Sequence, residues 1–331
     1  MQNLTDYWDL PAQTEIMRIG QVGTNNKLYR LNVSDTQSYV LRVYGQHAKP
    51  QGIQHELSVL TQLNRMALPF AVTAPIPTRH GEWWALLNDN GRSRLAILMP
   101  FIAGANPEIG NLVQSTAVGE ALARLLLALK KVDTAGLKSP PAYLYLDAVH
   151  PLVPDPLIGL SMLGGLLAKQ KQERLSLILS QVQTQAQRIY KALGGQLTHG
   201  DFIHANILAD AERVTGVLDF EFCARNPRVL DLAVALDTWG WVEMGSGREW
   251  AHINAFGRGF GRVISLTTAE IEALPTLILL REAVVLIHMI GRFMAGASPY
   301  IDVEQWLDSM LQIDAWLTLN RQRLMDEAGK W

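Results

Sequence analysis

Cysteine is the scarcest residue of this chain, because Cys223 is the only one among 331 residues. A disulfide within the chain is therefore excluded, which is consistent with a reducing compartment, and we expect a cytoplasmic protein. The N-terminal segment lacks the basic region and apolar core of a signal peptide. The longest uncharged apolar runs, residues 157–168 and 283–291, are shorter than the roughly 20 residues of a membrane-spanning helix. We expect buried helices or a lid there, and no membrane partner.

A surplus of charge of one sign is also missing. The chain has 29 Lys and Arg against 31 Asp and Glu, a net charge of −2, and no basic block, which argues against binding to nucleic acid. Low-complexity segments, internal repeats and a GxGxxG motif are absent as well. With 48% hydrophobic and 18% charged residues, the chain is expected to fold into two lobes or domains, each with its own core.

The first hundred residues are rich in strand and turn signals. Period-two alternation and Gly, Asn and Asp turns predict strands, with one amphipathic helix between them. The predicted strands are 16–22, 27–33, 38–44, 82–88 and 94–99, and the helix is 52–65. The lobe boundary is placed at residue 102, with a linker at about 99–104.

Helical periodicity dominates after the linker. The spacing of apolar residues predicts long helices that end at glycines or prolines. The predicted helices are 112–132, 171–193, 229–241, 247–263, 268–293 and 303–325. The fold class is therefore α+β, with residues 1–102 as a sheet lobe and residues 103–331 as a helical lobe.

One polar stretch in the helical half stands out. His199, Asp201 and Asn206 lie close together in sequence, and a predicted hairpin over 207–218 then leads to Asp219. A hairpin brings its two ends together, so Asp219 is expected to return close to Asp201 and Asn206. Carboxylate and amide oxygens hold Mg²⁺ and orient a hydroxyl, which is the apparatus of phosphoryl transfer.

The turn between the first two strands offers a second polar group, formed by Gly23, Thr24, Asn25 and Asn26. Its backbone N–H groups are of the kind that can lie over a phosphate. An ordinary β-turn is the alternative interpretation, because no glycine-rich nucleotide motif accompanies it.

Further candidates are single residues with two interpretations each. Arg42 lies on the strand face opposite Leu41 and is either a phosphate-binding cation or a solvent-facing residue. Glu56, on the following helix, is either a partner for a cation or a surface carboxylate. In the linker, the C=O of Pro100 can accept from an adenine amino group while the N–H of Ile102 donates.

Taken together, these residues resemble the aminoglycoside phosphotransferase and choline kinase family, which has the protein-kinase-like fold. The similarity covers the chain from Gly20 to about Trp241, and its most specific part runs from His199 through Asn206 to Asp219. The resemblance implies a small antiparallel-sheet lobe and a larger helical lobe. It also implies ATP and Mg²⁺ as cofactors and a small-molecule hydroxyl acceptor as partner, and it leaves the oligomeric state open.

By that resemblance, Asp201 is the catalytic carboxylate that positions the acceptor hydroxyl and takes its proton. Asn206 and Asp219 match the metal-holding residues, and His199 matches a histidine that holds the catalytic loop. Asp231 matches an architectural aspartate at a helix start.

The nucleotide-binding residues follow from the same resemblance. Residues 23–26 match the loop that covers the nucleotide, Glu56 matches the helix carboxylate that pairs with the cation at Arg42, and Pro100 and Ile102 match the linker that meets adenine. Two positions depart from the family pattern. Arg42 stands where the family often has Lys, and the two cations differ in shape and reach. Glu221 stands where protein kinases have Gly, and a cation, a metal-bound water and a neighbouring arginine are its possible contacts, with Arg225 ranked first.

The acceptor is indicated by residues 216–224 and 231–239, which look most like the homoserine-kinase-like branch. That similarity suggests a homoserine-like amino acid or an amino alcohol, with aminoglycosides as a further possibility. Trp239, Trp241 and Trp250 are either an aromatic wall near a cationic acceptor or part of the core. A nucleotide-binding pseudokinase, favoured by Arg42, is the alternative function. A protein kinase ranks last, because residues 219–231 contain no activation-loop-like segment.

Overall fold

The structure is a computed structural model that describes residues 4–19, 26–45, 48, 50–89, 91–241 and 243–331. Gly23, Thr24 and Asn25, predicted to cover the nucleotide, lie outside these ranges. The N-terminal elements are α1 (Leu4–Tyr7), β1 (Glu15–Arg18), β2 (Lys27–Asn32), β3 (Ser38–Val43), α2 (Pro50–Leu63), β4 (Ala85–Asp89) and β5 (Arg92–Pro100). The predicted strands and helix of this half are all present, with ends displaced by a few residues.

The N-terminal strands form one antiparallel sheet in the order β1-β2-β3-β5-β4. On one face Leu31, Leu41 and Leu98 pack with Trp8 into a small core. Arg42 pairs across the ladder with Ile97, and strand alternation directs its side chain to the opposite face. The sheet therefore presents Arg42 toward the helical half of the molecule.

The remaining chain is mainly helical. Its elements are α3 (Leu112–Leu129), α4 (Pro156–Ser161), α5 (Lys169–Leu193), β6 (Gln196–Thr198), β7 (Ile207–Asp210), β8 (Arg213–Val217), β9 (Ala224–Asn226), α6 (Val229–Trp239), α7 (Glu249–Gly261), α8 (Thr268–Met294) and α9 (Tyr300–Ala328). The main core gathers side chains from these helices together with Leu57 of α2 and Ile97 of β5. The expectation of a separate core in each lobe is therefore only partly correct, since the larger core extends into the sheet lobe.

Helices α3 and α7 approach each other unusually closely, through glycines. A Cβ atom on Gly259 would lie 1.9 Å from the carbonyl oxygen of Thr116, and one on Gly119 would lie 2.1 Å from that of Phe256. Only residues without a side chain fit at this crossing. Contact between the two backbones fixes the position of α3 and α7 relative to each other.

Two three-residue strands, β6 and β9, pair antiparallel on either side of the polar stretch. The sequence did not predict them, because three residues are too few to show alternation. Their pairing, together with the β7–β8 hairpin, closes the segment from Thr198 to Ala224 into a compact loop.

Two helices of the described chain, α3 and α8, reach the length and apolar composition of a membrane span, and 56% and 67% of their most apolar windows are buried within the protein. The uninterrupted apolar run 283–291 is shorter than a membrane span, but it lies inside the 27-residue α8. Packing against neighbouring helices accounts for the composition of both.

Candidate active site

The loop that carries Asp201 is anchored by Asp231, at the start of α6. The carboxylate of Asp231 accepts from the backbone N–H groups of His199 at 2.6 Å and Gly200 at 2.8 Å. Burial raises the pKa of Asp231 to about 7, against the opposing effect of these two donors. Gly200 has φ +81°, and a Cβ atom there would lie 2.5 Å from the carbonyl oxygen of Phe222, so glycine is required. These contacts agree with the architectural role predicted for Asp231.

His199 connects the two ends of the site. Its fully buried ring donates from Nε2 to the carbonyl oxygen of Leu218 at 3.0 Å and accepts at Nδ1 from the N–H of Asp201 at 3.2 Å. The two partners fix the tautomer, and burial lowers the pKa of the ring, which keeps it neutral. His199 is therefore placed to hold the loop, and its role in catalysis stays a prediction.

Asp201 and Asn206 are joined directly. The amide nitrogen of Asn206 donates to the backbone oxygen of Asp201 at 2.9 Å and to its Oδ2 at 3.0 Å. The N–H of Leu218 donates to the carbonyl oxygen of Asn206 at 2.8 Å, which places Asp219 next to Asn206. The predicted convergence of the hairpin ends is present.

Asp219 is connected to the sheet through Arg42. Its Oδ1 accepts from Nη2 of Arg42 at 2.6 Å, while Nη1 donates to Glu56 at 2.5 Å. Asp219 itself has φ +63°, a left-handed conformation that is uncommon outside glycine. The structure thus contains the predicted pair of Arg42 and Glu56, and it extends that pair to the hairpin end.

Arg42 and Glu56 are only 6% and 3% exposed, so the solvent-facing alternatives for both residues are wrong. The hydroxyl of Tyr44 donates to the second oxygen of Glu56 at 3.0 Å. Burial alone would lower the pKa of Arg42, but Glu56 and Asp219 raise it well above its ordinary value. The guanidinium remains charged and bridges the two carboxylates with its two terminal nitrogens.

The expected partner of Glu221 is corrected by the structure. Glu221 accepts from the amide of Asn26 at 3.2 Å and lies 3.7 Å from Arg42, whereas Arg225 donates to the carbonyl oxygen of Gly195. The strand β9, unseen in the sequence, directs Arg225 away from Glu221. Burial and Asp219 raise the pKa of Glu221 to about 7. Asn26 is thereby placed beside the site.

The linker lies against the β7–β8 hairpin. Pro100 ends β5 and pairs with Tyr39, and the side chain of Ile102 fills the space beside Gly216, where a Cβ atom would approach it to 2.8 Å. Within the described ranges, the backbone N–H of Ile102 makes no hydrogen bond. It is available to a bound base, and the contact of Ile102 with adenine stays a prediction.

Arg281 of α8 is a residue that sequence reasoning missed. It contacts Asp201 Oδ1 at 3.2 Å and the hydroxyl of Tyr143 at 3.2 Å, and that hydroxyl donates to the carbonyl oxygen of Gly200. Its Nε lies 3.7 Å from Asp237 of α6. The available signal was a charged pair, Arg281 and Glu282, in the middle of a long apolar helix.

The donor set fits Mg²⁺. The amide nitrogen of Asn206 is engaged by Asp201, so its oxygen remains for a cation, and Asp219, whose Oδ1 is held by Arg42, keeps its second carboxylate oxygen for the same purpose. Among the described residues, no group of three or more acidic, histidine or cysteine side chains is arranged to hold a metal. Mg²⁺ suits such a sparse set, because it binds through one or two carboxylates together with substrate phosphates and water.

Two solved kinase structures have a similar fold. A microcompartment-associated aminopropanol kinase superposes with a TM-score of 0.72 and 19% identity, covering 98% of this chain and 96% of that one. An amicoumacin kinase in complex with AMP-PNP and Ca²⁺ superposes with a TM-score of 0.68 and 14% identity, covering 92% and 90%. These similarities confirm the predicted two-lobed, protein-kinase-like α+β fold.

Sequence comparison defines the family. The model of the phosphotransferase enzyme family matches residues 17–263, and the chain therefore belongs to this family. A homoserine kinase from Beijerinckia indica subsp. indica is 27% identical over 244 residues, which are 72% of this chain and 69% of that protein. The predicted family and enzyme class, a phosphotransferase, are confirmed.

Proposed function

We propose that the protein transfers the γ-phosphoryl group of ATP to the hydroxyl of a small-molecule acceptor, with homoserine as the first candidate. The observation that carries this proposal is the amide of Asn206, which holds Asp201 on one side and leads through Leu218 to Asp219 on the other. The name of the matching curated relatives, homoserine kinase, supports the choice of acceptor.

Asp201 orients the acceptor hydroxyl and accepts its proton as the phosphoryl group leaves ATP. Asn206 and Asp219 would hold Mg²⁺, which would offset the negative charge of the phosphates when bound. His199 and Asp231 keep the loop in place and take no part in proton transfer.

The nucleotide lies between the sheet and the hairpin in this proposal. Arg42 supplies positive charge to the phosphates, and Glu56 keeps its guanidinium in position. The adenine meets the C=O of Pro100 and the N–H of Ile102. Asn26, which borders the site through Glu221, belongs with Gly23, Thr24 and Asn25 to the proposed covering loop.

The test is Asp201→Asn, measured as ADP release with Mg²⁺, ATP and a panel of homoserine, aminopropanol, choline and an aminoglycoside. Loss of general-base catalysis lowers turnover about 10²- to 10⁴-fold, while the affinity for ATP measured by calorimetry is retained. Unchanged turnover in this variant would contradict the assignment of Asp201.

A pseudokinase remains the second candidate, favoured only by Arg42 in place of Lys. The wild-type protein distinguishes the two functions. Acceptor-dependent and Mg²⁺-dependent ADP release, lost on Asp219→Asn, supports the kinase, whereas nucleotide binding without any turnover supports the pseudokinase.

A further inference from the structure

Glu282, in the middle of α8, is a buried carboxyl that the proposed reaction does not use. It is 1% exposed, and neither of its oxygens has a hydrogen-bond donor among the described residues. An ionised carboxylate left in this state is costly, because burial removes its hydration without replacing it. The position therefore needs a physical explanation.

The explanation lies in the neighbours of Glu282. Its carboxyl faces that of Asp237 on α6, with Ser309 of α9 and Arg281 nearby. Two carboxylates hydrogen-bond to each other only when one of them carries a proton. Burial and the charge of Asp237 raise the pKa of Glu282 to about 9. A pKa raised in this direction favours the protonated form of Glu282 at neutral pH, in which its carboxyl is able to donate to Asp237.

Asp237 is the member of this pair that borders the proposed acceptor position. One oxygen accepts from Nε1 of Trp241 at 3.2 Å, and the other lies 3.7 Å from Nε of Arg281. The far end of the same guanidinium contacts Asp201. The Arg281 side chain therefore lies between Asp237 and Asp201, the carboxylate proposed to accept the hydroxyl proton.

The charges around this position do not balance. Asp201 and Asp237 are both acidic, and Arg281 is the one basic side chain of the described chain that contacts either of them. One negative charge is left over in a region with little solvent, where electrostatic interactions are strong. A cationic group on the acceptor would neutralise it.

We propose that Asp237 binds the ammonium group of the acceptor, and that Glu282 is a positioning residue whose hydrogen bond holds Asp237 in place. This inference rests on the proposed function and restricts it to acceptors that carry both a hydroxyl and an amine. The hydrogen bond from Trp241 to one oxygen of Asp237 fixes the orientation of this carboxylate relative to the ligand.

The first experiment compares acceptors that differ only in the amine. Homoserine is paired with 4-hydroxybutanoate, and aminopropanol with propanol, and kcat/KM is measured for the wild type and for Asp237→Asn. The wild type prefers the amine-bearing member by about 10- to 100-fold, the range of a charge-assisted hydrogen bond, and Asp237→Asn loses that preference. If Asp237→Asn lowered kcat/KM equally for both acceptors of a pair, the role of Asp237 would be refuted.

The second experiment tests Glu282 by conservative rescue. Glu282→Gln keeps an N–H donor toward Asp237 and is expected to retain the amine preference. Glu282→Leu removes the donor and raises KM for the amine-bearing acceptor about 10-fold, with KM for the amine-free acceptor unchanged. Equal behaviour of the two variants would refute the positioning role. Glu272→Gln, an exposed carboxylate on the same helix, serves as control.

Direct binding separates this inference from the proposed function. If no acceptor is turned over by the wild type, the binding of homoserine and aminopropanol is measured by calorimetry in the presence of Mg²⁺ and AMP-PNP. Binding that Asp237→Asn abolishes supports the ammonium site although the kinase assignment fails. Absence of binding to the wild type, or equal binding to the variant, overturns the inference.

Discussion

Arg42 is held between Glu56 of α2 and Asp219 at the end of β8, with almost no solvent around it. The planar guanidinium of Arg42 contacts both carboxylates at once through its two terminal nitrogens, which the ammonium group of a lysine cannot do in the same geometry. This use of both terminal nitrogens explains why Arg is compatible with a position where the family often has Lys. The residue connects the N-terminal sheet to the proposed metal-binding residue Asp219.

Replacing Arg42 alone should lower the stability of the protein more than replacing both Arg42 and Glu56. Arg42→Met leaves the buried Glu56 carboxylate without a cation, with only the Tyr44 hydroxyl as a donor, and we expect a loss of about 3–5 kcal/mol in the free energy of unfolding. The double variant Arg42→Met with Glu56→Gln should regain part of that loss. Urea unfolding measures all three proteins. A double variant that is no more stable than Arg42→Met would show that the pair is not coupled.

Glu282 should make the protein less stable as pH rises. The pKa of this group is about 9 in the folded protein, above its ordinary value of 4.5. The folded state therefore keeps a proton that the unfolded chain loses, and stability falls between about pH 4.5 and pH 9. Glu282→Gln removes this effect, so its stability relative to the wild type should increase from pH 5 to pH 9. If the difference in the free energy of unfolding between the wild type and Glu282→Gln, measured in urea, did not change with pH, the raised pKa of Glu282 would be contradicted.

The sequence was sufficient to find Asp201, Asn206 and Asp219, because these lie within one short stretch with a hairpin between them. Arg281 and Asp237 were not found, since their contacts with the site join residues far apart in the chain. No local pattern records such contacts. The wrong partner proposed for Glu221 has the same origin, because sequence proximity favoured Arg225 over Arg42.

At the scale of elements, the crossing of α3 and α7 depends on the absence of a side chain. A helical glycine is normally a weak point, and its replacement by Ala stabilises a helix by about 1 kcal/mol where space permits. Gly52, in α2, has no atom near its Cβ position, whereas Gly259 faces backbone at 1.9 Å. The same substitution is therefore expected to act in opposite directions at the two positions.

Thermal melting of two variants tests this contrast. Gly52→Ala should match or exceed the wild-type Tm, while Gly259→Ala should lower it by several degrees or prevent folding, because α3 and α7 must move apart. If both substitutions raised Tm, the close backbone contact would not exist in solution.

Long helices were predictable because their apolar spacing repeats over several turns, and their ends are displaced by only a few residues. The short strands β6 and β9 were not, although they close the loop around the site. Pairing of three residues with a distant segment is decided by the fold around them, rather than by their own composition.

At the scale of the whole molecule, the larger core joins the two lobes. Leu57 of α2 and Ile97 of β5 belong to the same buried cluster as the helices of the C-terminal half. Backbone hydrogen bonds between Ala71 and β8 add a direct connection. We expect the lobes to be interdependent in stability, whatever motion the proposed linker at 99–104 allows.

The fragment comprising residues 1–102 tests this dependence. Separated from the helices, it would expose the apolar side of α2, and we expect no cooperative unfolding transition when circular dichroism is followed in urea. The full chain is the control and should show a single transition. A fragment with a sharp transition of its own would mean that the sheet lobe is an independent folding unit.

The contact between Ile102 and Gly216 has a pharmacological consequence. Gly216 lies on the strand that leads to Asp219, so the Ile102 side chain of the linker packs against the strand that carries the proposed metal-binding end. An inhibitor that occupies the base site and displaces the Ile102 side chain would press on this strand and shift Asp219 without touching it. Potency should then depend on displacement of one side chain as well as on mimicry of the nucleotide.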